Sequence, residues 1–210
     1  MNALVASSSD VRNVLGALRS VSRRRPPEKR CELCGLGLGP EHPHVLQLSD
    51  RRILCACDPC AILFSHRDEN RKFIRIPREV RCLEDFCIED TEWNNLRIPI
   101  DLAFFVHNSA AGRVIAYYPS PAGPTESLLD LRAWEEIVHN NVALGQMRPD
   151  VEALLVDRTR GNRRYFIVPI DQCYKLTGMI RMGWRGFSGG DAVWREVDGF
   201  FESLRERCGA

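Results

Sequence analysis

Apolar positions along the chain change period several times. Val11, Val14, Leu15, Leu18 and Val21 recur at helical spacing, which predicts an amphipathic helix capped by Ser9 or Asp10. Shorter, strand-like runs follow. Residues 44–48 and 52–54 predict a hairpin turning through Ser49, Asp50 and Arg51, and 72–76 a further strand closed by Pro77. Asp90 is placed to cap a short helix through Trp93. Residues 98–106 and 113–118, rich in branched and aromatic side chains, predict a second hairpin across Asn108 to Gly112. The Pro/Gly-rich stretch 119–124 predicts a rigid loop, and Ser127 with Asp130 a capping-box-like helix start. Leu128, Leu131, Trp134, Ile137 and Val138 would form the buried face of that helix, which Asn140 and Asn141 end. A third hairpin is predicted over 151–156 and 165–170, turning through Arg160, Gly161 and Asn162. It leads into a helix capped by Asp171 and carrying Cys173, Tyr174 and Leu176. The last helix follows Gly189 and Gly190, with Val193, Val197, Phe200, Phe201 and Leu204 in one stripe. In the second half of the chain, hairpins followed by helices give an α+β domain with a mostly antiparallel sheet.

Punctuation divides the chain into three. Residues 1–30 comprise the N-terminal helix and a basic, proline-stiffened linker, Arg23 to Pro27. No aromatic residue interleaves with those arginines, so a solvated linker fits better than a nucleic-acid contact. Residues 31–77 form a cysteine-rich module, and 78–210 the α+β domain. The balance of 29 Lys and Arg against 28 Asp and Glu argues against a general nucleic-acid binder. With 44% hydrophobic and 27% charged residues the composition is that of a soluble globular protein. No apolar run approaches the ~20 residues of a membrane span, and the N-terminus lacks a secretory pattern. The nine cysteines, an odd number mostly in metal spacing, fit a reducing cytoplasm better than a disulfide framework.

The chemistry concentrates in the cysteine-rich module. Cys31/Cys34 and Cys57/Cys60 are two Cys-x-x-Cys pairs. Each such turn aims two sulfurs at one ion, and two turns supply the four thiolates that Zn²⁺ prefers. Residues 35–56 between them are long enough for a hairpin, and Asp58-Pro59 suits a helix start. Knuckle, hairpin and a helix carrying the second pair make a treble-clef-like zinc module. Gly35 suits a backbone position of positive φ. Cys55, offset by two from Cys57, is an alternative ligand, as are His42 and His44. The same thiolates would also hold iron of rubredoxin type or an Fe–S cluster. Four thiolates leave no open coordination position, so zinc here would be structural.

Outside this module the residues give no complete catalytic constellation. Ser120, Gly123, Thr125, Glu126 and Ser127 lie in a loop before a helix start, where backbone N–H groups would face an anion or a partner. The glycine and lysine spacing of a P-loop is missing, and Glu126 would repel phosphate. Asp150 and Glu152, two apart at a strand start, pair two carboxylates, although solvation at a strand edge accounts for them. Asp171 with Cys173 sets an acid near a thiol without an assignable histidine, so a helix cap and a core cysteine are the simpler reading. Cys82 and Cys87 read as two further structural thiols. His107 and His139 fall at element ends and read as surface residues. The frame of a His-Asn-His endonuclease shares the knuckle and the second pair. It also needs an Asp-His motif at the hairpin, where this chain reads His42-Pro43-His44 with only Glu41 before it.

Several segments together resemble a bacterial family of unknown function encoded beside genes for uptake [NiFe]-hydrogenases. They run from Cys31 to Gly35, Cys55 to Phe64, Ile98 to Phe105, Tyr118 to Ser127, Pro149 to Leu155 and Val168 to Tyr174. The resemblance implies an accessory role in maturation or electron delivery and brings no catalytic residues with it. The resulting expectation is a cytoplasmic zinc-binding accessory protein that works through protein contacts with hydrogenase subunits or maturation factors. The alternative is a rubredoxin-like electron carrier, and a weaker one an enzyme with its site in the second domain.

Overall fold

In the computed structural model, which describes residues 29–65, 71–128, 130–186 and 189–208, the larger part of the chain is built on a six-stranded antiparallel sheet. The expected helix over 11–21 and the basic linker lie outside the described residues. The sheet runs in the order β4-β9-β8-β5-β6-β7. Its strands are β4 (Arg81–Cys82), β5 (Leu102–Asn108), β6 (Arg113–Ser120), β7 (Gly123–Ser127), β8 (Glu152–Asp157) and β9 (Arg164–Pro169).

Strand periodicity explains why this sheet is covered on both sides. Leu102, Phe104 and Val106 of β5, with Ala153 and Leu155 of β8, point to one face; Ala103, Phe105, Leu154 and Val156 point to the other. Both sets are buried, so β5 and β8 read as continuous apolar runs rather than alternating ones. The first face is covered by α5 (Ile170–Gly183) and α6 (Gly190–Cys208), through Cys173, Leu176, Ile180, Val197, Phe201 and Leu204. The second is covered by α2 (Asp90–Asn95), α3 (Leu131–His139) and α4 (Val142–Gly145), through Trp93, Trp134, Ile137 and Leu144. Phe105 stacks on Trp134 at 4.8 Å between centroids.

A smaller antiparallel sheet, ordered β2-β1-β3, joins β1 (His44–Gln47), β2 (Arg52–Cys55) and β3 (Phe73–Arg75). Helix α1 (Asp58–Leu63) follows β2. The two faces of β1 serve different cores. Val45, opposite Leu54, packs with Cys31, Ala56, Cys57 and Ala61. Leu46, opposite Ile53 and Ile74, belongs to the core under α5 and α6. The α+β class expected from the pattern is therefore the architecture found.

Four local expectations are corrected. The expected Pro/Gly loop holds the end of β6 and the start of the edge strand β7, with Pro119 of β6 opposite Pro124 of β7; prolines are tolerated where a strand end or sheet edge leaves no ladder donor to lose. The next helix starts later than Ser127: Asp130 is its N-cap, accepting from the Arg132 and Ala133 N–H groups, and Leu128 is 92% exposed. Glu89 rather than Asp90 caps α2, in a capping box closed by Glu92. Finally, Cys82, expected to be a free structural thiol, is disulfide-bonded to Cys208 at the end of α6, whereas Cys87 is free and exposed.

The disulfide ties β4 to the C-terminal helix across a sequence separation of 126 residues. It also weakens the cysteine argument for a reducing compartment. Replacing Cys208 by serine is expected to lower unfolding stability by about 2–4 kcal/mol, since so long a loop is released in the unfolded chain. Denaturant melts of the oxidised protein against the variant measure this, and equal midpoints would contradict it.

Candidate metal centre

The first cysteine pair sits in a tight knuckle. The Cys31 N–H donates to Leu36 O at 2.7 Å and the Gly35 N–H to Cys31 O at 2.8 Å. Gly35 has φ +80°, the left-handed region its lack of a Cβ makes accessible. The second pair begins α1: Cys57 is the N-cap in extended conformation, Pro59 lies in the first turn, and Cys60 follows within the helix. Glu32 joins the knuckle to the hairpin. Its N–H donates to Cys55 O at 2.9 Å, its carboxylate accepts from the Cys55 N–H at 2.7 Å, and Arg52 donates to it at 3.0 Å.

These elements bring the Cys31, Cys34, Cys57 and Cys60 sulfurs within 4.8 Å of one another. Cys34 and Cys57 Sγ are 3.6 Å apart. A tetrahedral Zn–S₄ group with bonds of ~2.3 Å has sulfur–sulfur edges of about 3.8 Å. The cluster is already close to that size, and the all-thiolate donor set fits a tetrahedral ion of zinc or iron type. Cys31 and Cys57 are buried while Cys34 is exposed.

Cys31 and Cys60 differ widely in acidity. Burial pushes the Cys31 thiol up, but hydrogen bonds from the Cys57, Leu33 and Cys34 backbone and from the Cys34 thiol outweigh it and bring it down to about 6. Cys60 is pushed up to about 12, chiefly by its hydrogen bonds with the Cys57 and Cys34 sulfurs, with burial adding to it. Near neutrality the Cys31 thiolate is ready to capture a cation, and Cys60 must surrender a proton to join it. Zinc binding is therefore expected to release protons and to tighten from about pH 6 to about pH 8. Calorimetry in buffers of different ionisation enthalpy measures this; proton-neutral, pH-independent binding would contradict it.

Cys55 does not join the cluster. It still lies in β2, where alternation places it opposite His44, on the face of Ile53 and Leu46. Cys57 lies past the strand end. The Cys55, His42 and His44 ligand atoms instead approach one another, within 4.8 Å. His44 Nδ1 is 2.8 Å from Asp171 Oδ2 on α5, a partnership over 127 residues.

The other candidates are not assembled for chemistry. Ser120 Oγ donates to Gly123 O at 2.9 Å, accepts from the Ala122 N–H and pairs with Thr125 Oγ1, all inside the β6–β7 hairpin. Glu126 pairs with Arg113 at 3.2 Å, and Ser127 Oγ donates to Arg97 O at 3.4 Å. The expected helix N-terminus does not face this group, because α3 begins only after Asp130. Asp150 and Glu152 are buried, not solvated, and have separate partners. Asp150 accepts from Arg51 at 2.8 Å and from the Ser109 N–H at 3.0 Å. Glu152 accepts from the Arg148 N–H at 2.7 Å and from Arg81 at 3.2 Å. Cys173 is enclosed in the main core, where burial pushes its thiol well above the ordinary value. Pro169 rather than Asp171 occupies the N-cap of α5. His107 is half-buried in β5, and His139 is exposed at the end of α3.

The link from β1 to Asp171 and that from Arg51 to Asp150 are not legible in the sequence, since each joins residues about 100 or more positions apart. Among the described residues no helix is long and apolar enough to cross a membrane. A family model described as a family of unknown function (DUF5947) matches residues 30–208. No curated protein and no solved structure matches the chain.

Proposed function

The chain belongs to this family of unknown function (DUF5947), and from that premise we propose that it is a zinc-binding accessory protein acting through protein contacts. The observation that carries the proposal is the convergence of four sulfurs within 4.8 Å. With four thiolates the ion has no open position, so its role is to hold the knuckle, the β1–β2 hairpin and α1 together.

Contact with a partner is supported by the surface next to the ion. Ile62 and Leu63 follow Cys60 on α1 and are 56% and 72% exposed, and Leu36 follows the knuckle at 57%. The partner we propose, on the resemblance given above, is a subunit or maturation factor of an uptake [NiFe]-hydrogenase, met in the cytoplasm. Replacing Ile62 and Leu63 by serine should abolish co-purification with such a partner and leave metal content intact. Co-purification unaffected by the replacement would sink the contact surface.

Iron in the same thiolates would make the protein an electron carrier instead. Metal analysis with an absorption spectrum separates the two. A colourless protein carrying zinc supports the structural role; a red ferric tetrathiolate or a brown cluster after anaerobic purification replaces it with electron transfer.

A further inference from the structure

A second group of metal-binding side chains lies on the opposite face of the same hairpin. Ala56 N–H donates to Pro43 O at 2.9 Å, so Pro43 and Ala56 form the hydrogen-bonded rung. The next pair, His44 and Cys55, therefore faces across a non-hydrogen-bonded rung, where side chains come closest. His42 joins them: its ring centroid is 5.0 Å from that of His44. The ligand atoms of all three lie within 4.8 Å of one another.

The outer contacts of the two imidazoles select a tautomer. His42 Nδ1 is 3.0 Å from Gly39 O, a carbonyl that only accepts. His44 Nδ1 is 2.8 Å from the Asp171 carboxylate. In the neutral tautomer that suits these contacts, Nδ1 carries the proton and Nε2 the lone pair. His42 Nε2 is buried and has no hydrogen-bond partner among the described residues. A buried nitrogen without a partner is costly. A carboxylate or carbonyl holding the far nitrogen is the usual support of a metal-bound histidine. The outer nitrogens are thus held, which leaves Nε2 of each ring as the nitrogen available beside the Cys55 sulfur.

We propose that His42 Nε2, His44 Nε2 and Cys55 Sγ form a second transition-metal site, separate from the tetrathiolate, with Asp171 and Gly39 orienting the histidines. Two nitrogens and one thiolate suit Zn²⁺, at bonds of ~2.0–2.1 and ~2.3 Å. With three protein ligands the fourth position is left to water or an exogenous donor, unlike the closed site 31/34/57/60. His44 and Asp171 also line a cavity of about 480 Å³ on the carboxylate side of the site. On binding, the Cys55 thiol gives up its proton to solvent and the zinc takes the sulfur lone pair; no redox step is involved.

The test uses the full chain loaded with zinc and dialysed, as wild type, as His42→Ala/Cys55→Ser and as Cys34→Ser. The double variant spares the His44–Asp171 contact. Wild type should retain two zinc ions per chain and the double variant one. In wild-type protein preloaded with one equivalent, a second equivalent should slow alkylation of Cys55 at least tenfold, read by peptide mass spectrometry. The double variant should keep the wild-type circular dichroism spectrum, since its tetrathiolate is intact. A wild type holding one zinc, a double variant still holding two, or Cys55 alkylated equally fast with and without the second equivalent would overturn the proposal. One zinc lost in Cys34→Ser but kept in the double variant would remove this site while leaving the tetrathiolate in place.

Discussion

Chelation of the ion, or Cys57→Ser, is expected to unfold the segment from Cys31 to β3 while the six-stranded sheet stays folded. The reason lies in what the cysteine side of the small sheet buries. Its fully buried residues are Cys31, Val45, Leu54, Ala56, Cys57 and Ala61, with Leu33, Leu38, Phe64 and Phe73 partly buried against them. Among the fully buried residues only Val45 and Leu54 are large, and each contributes roughly 1.5–3 kcal/mol of burial. Units below about 70–80 residues with so little core usually need a metal or a disulfide. Structural zinc supplies about 10–16 kcal/mol in small zinc domains, so its loss outweighs every other interaction on that face. The large sheet has its own two cores and the Cys82–Cys208 tie. Hydrogen exchange reads the difference. Amides of β1 and β2 should lose protection on chelation, and those of β5 and β8 should keep it. Unchanged protection in β1 and β2 would show that the module stands without a metal.

Arg51→Ala is expected to destabilise the protein by about 3–5 kcal/mol, far more than a typical surface arginine. Arg51 sits in the β1–β2 turn and pairs at 2.8 Å with Asp150, whose side chain is fully buried beside β8. Burial pushes the Asp150 carboxyl up, but hydrogen bonds from Ser109 and the Arg51 guanidinium outweigh it and hold it below the ordinary carboxylate range. A carboxylate depressed on folding contributes stability that is present above its unfolded value and is lost as pH falls through the folded one. Removing Arg51 strands a buried charge at neutral pH, and protonation relieves it. The deficit should therefore be largest near pH 7 and shrink below about pH 4. Asp150→Asn in the Arg51→Ala background should recover part of the loss. Urea melts at both pH values measure it; a deficit under about 1 kcal/mol, or one independent of pH, would show that this pair does not latch the module to the sheet.

Local spacing alone makes the cysteine centre legible. A Cys-x-x-Cys pair states its geometry within four residues, and Gly35 announces the turn that closes it. The hairpins are legible for the same reason: β5 with β6, and β8 with β9, are joined by short turns. What the sequence hides depends on distant partners or on context. Pro119 and Pro124 look like loop residues until they are seen opposite each other at a sheet edge. Asp150 looks like a solvated strand-edge acid because Arg51 lies 99 residues away. Cys82 carries no mark of its pairing with Cys208, 126 residues later. Cys55 is ambiguous because an offset of two preserves strand parity. Only the end of β2 at Cys55 separates its surroundings from those of Cys57.

The central claim is that four sulfurs share one ion. X-ray absorption at the zinc edge on His42→Ala/Cys55→Ser tests it most directly, because that variant retains only the cysteine quartet. A single shell of four sulfurs at ~2.3 Å is the predicted spectrum. A shell containing nitrogen or oxygen in place of sulfur, or a variant that retains no metal, would contradict it.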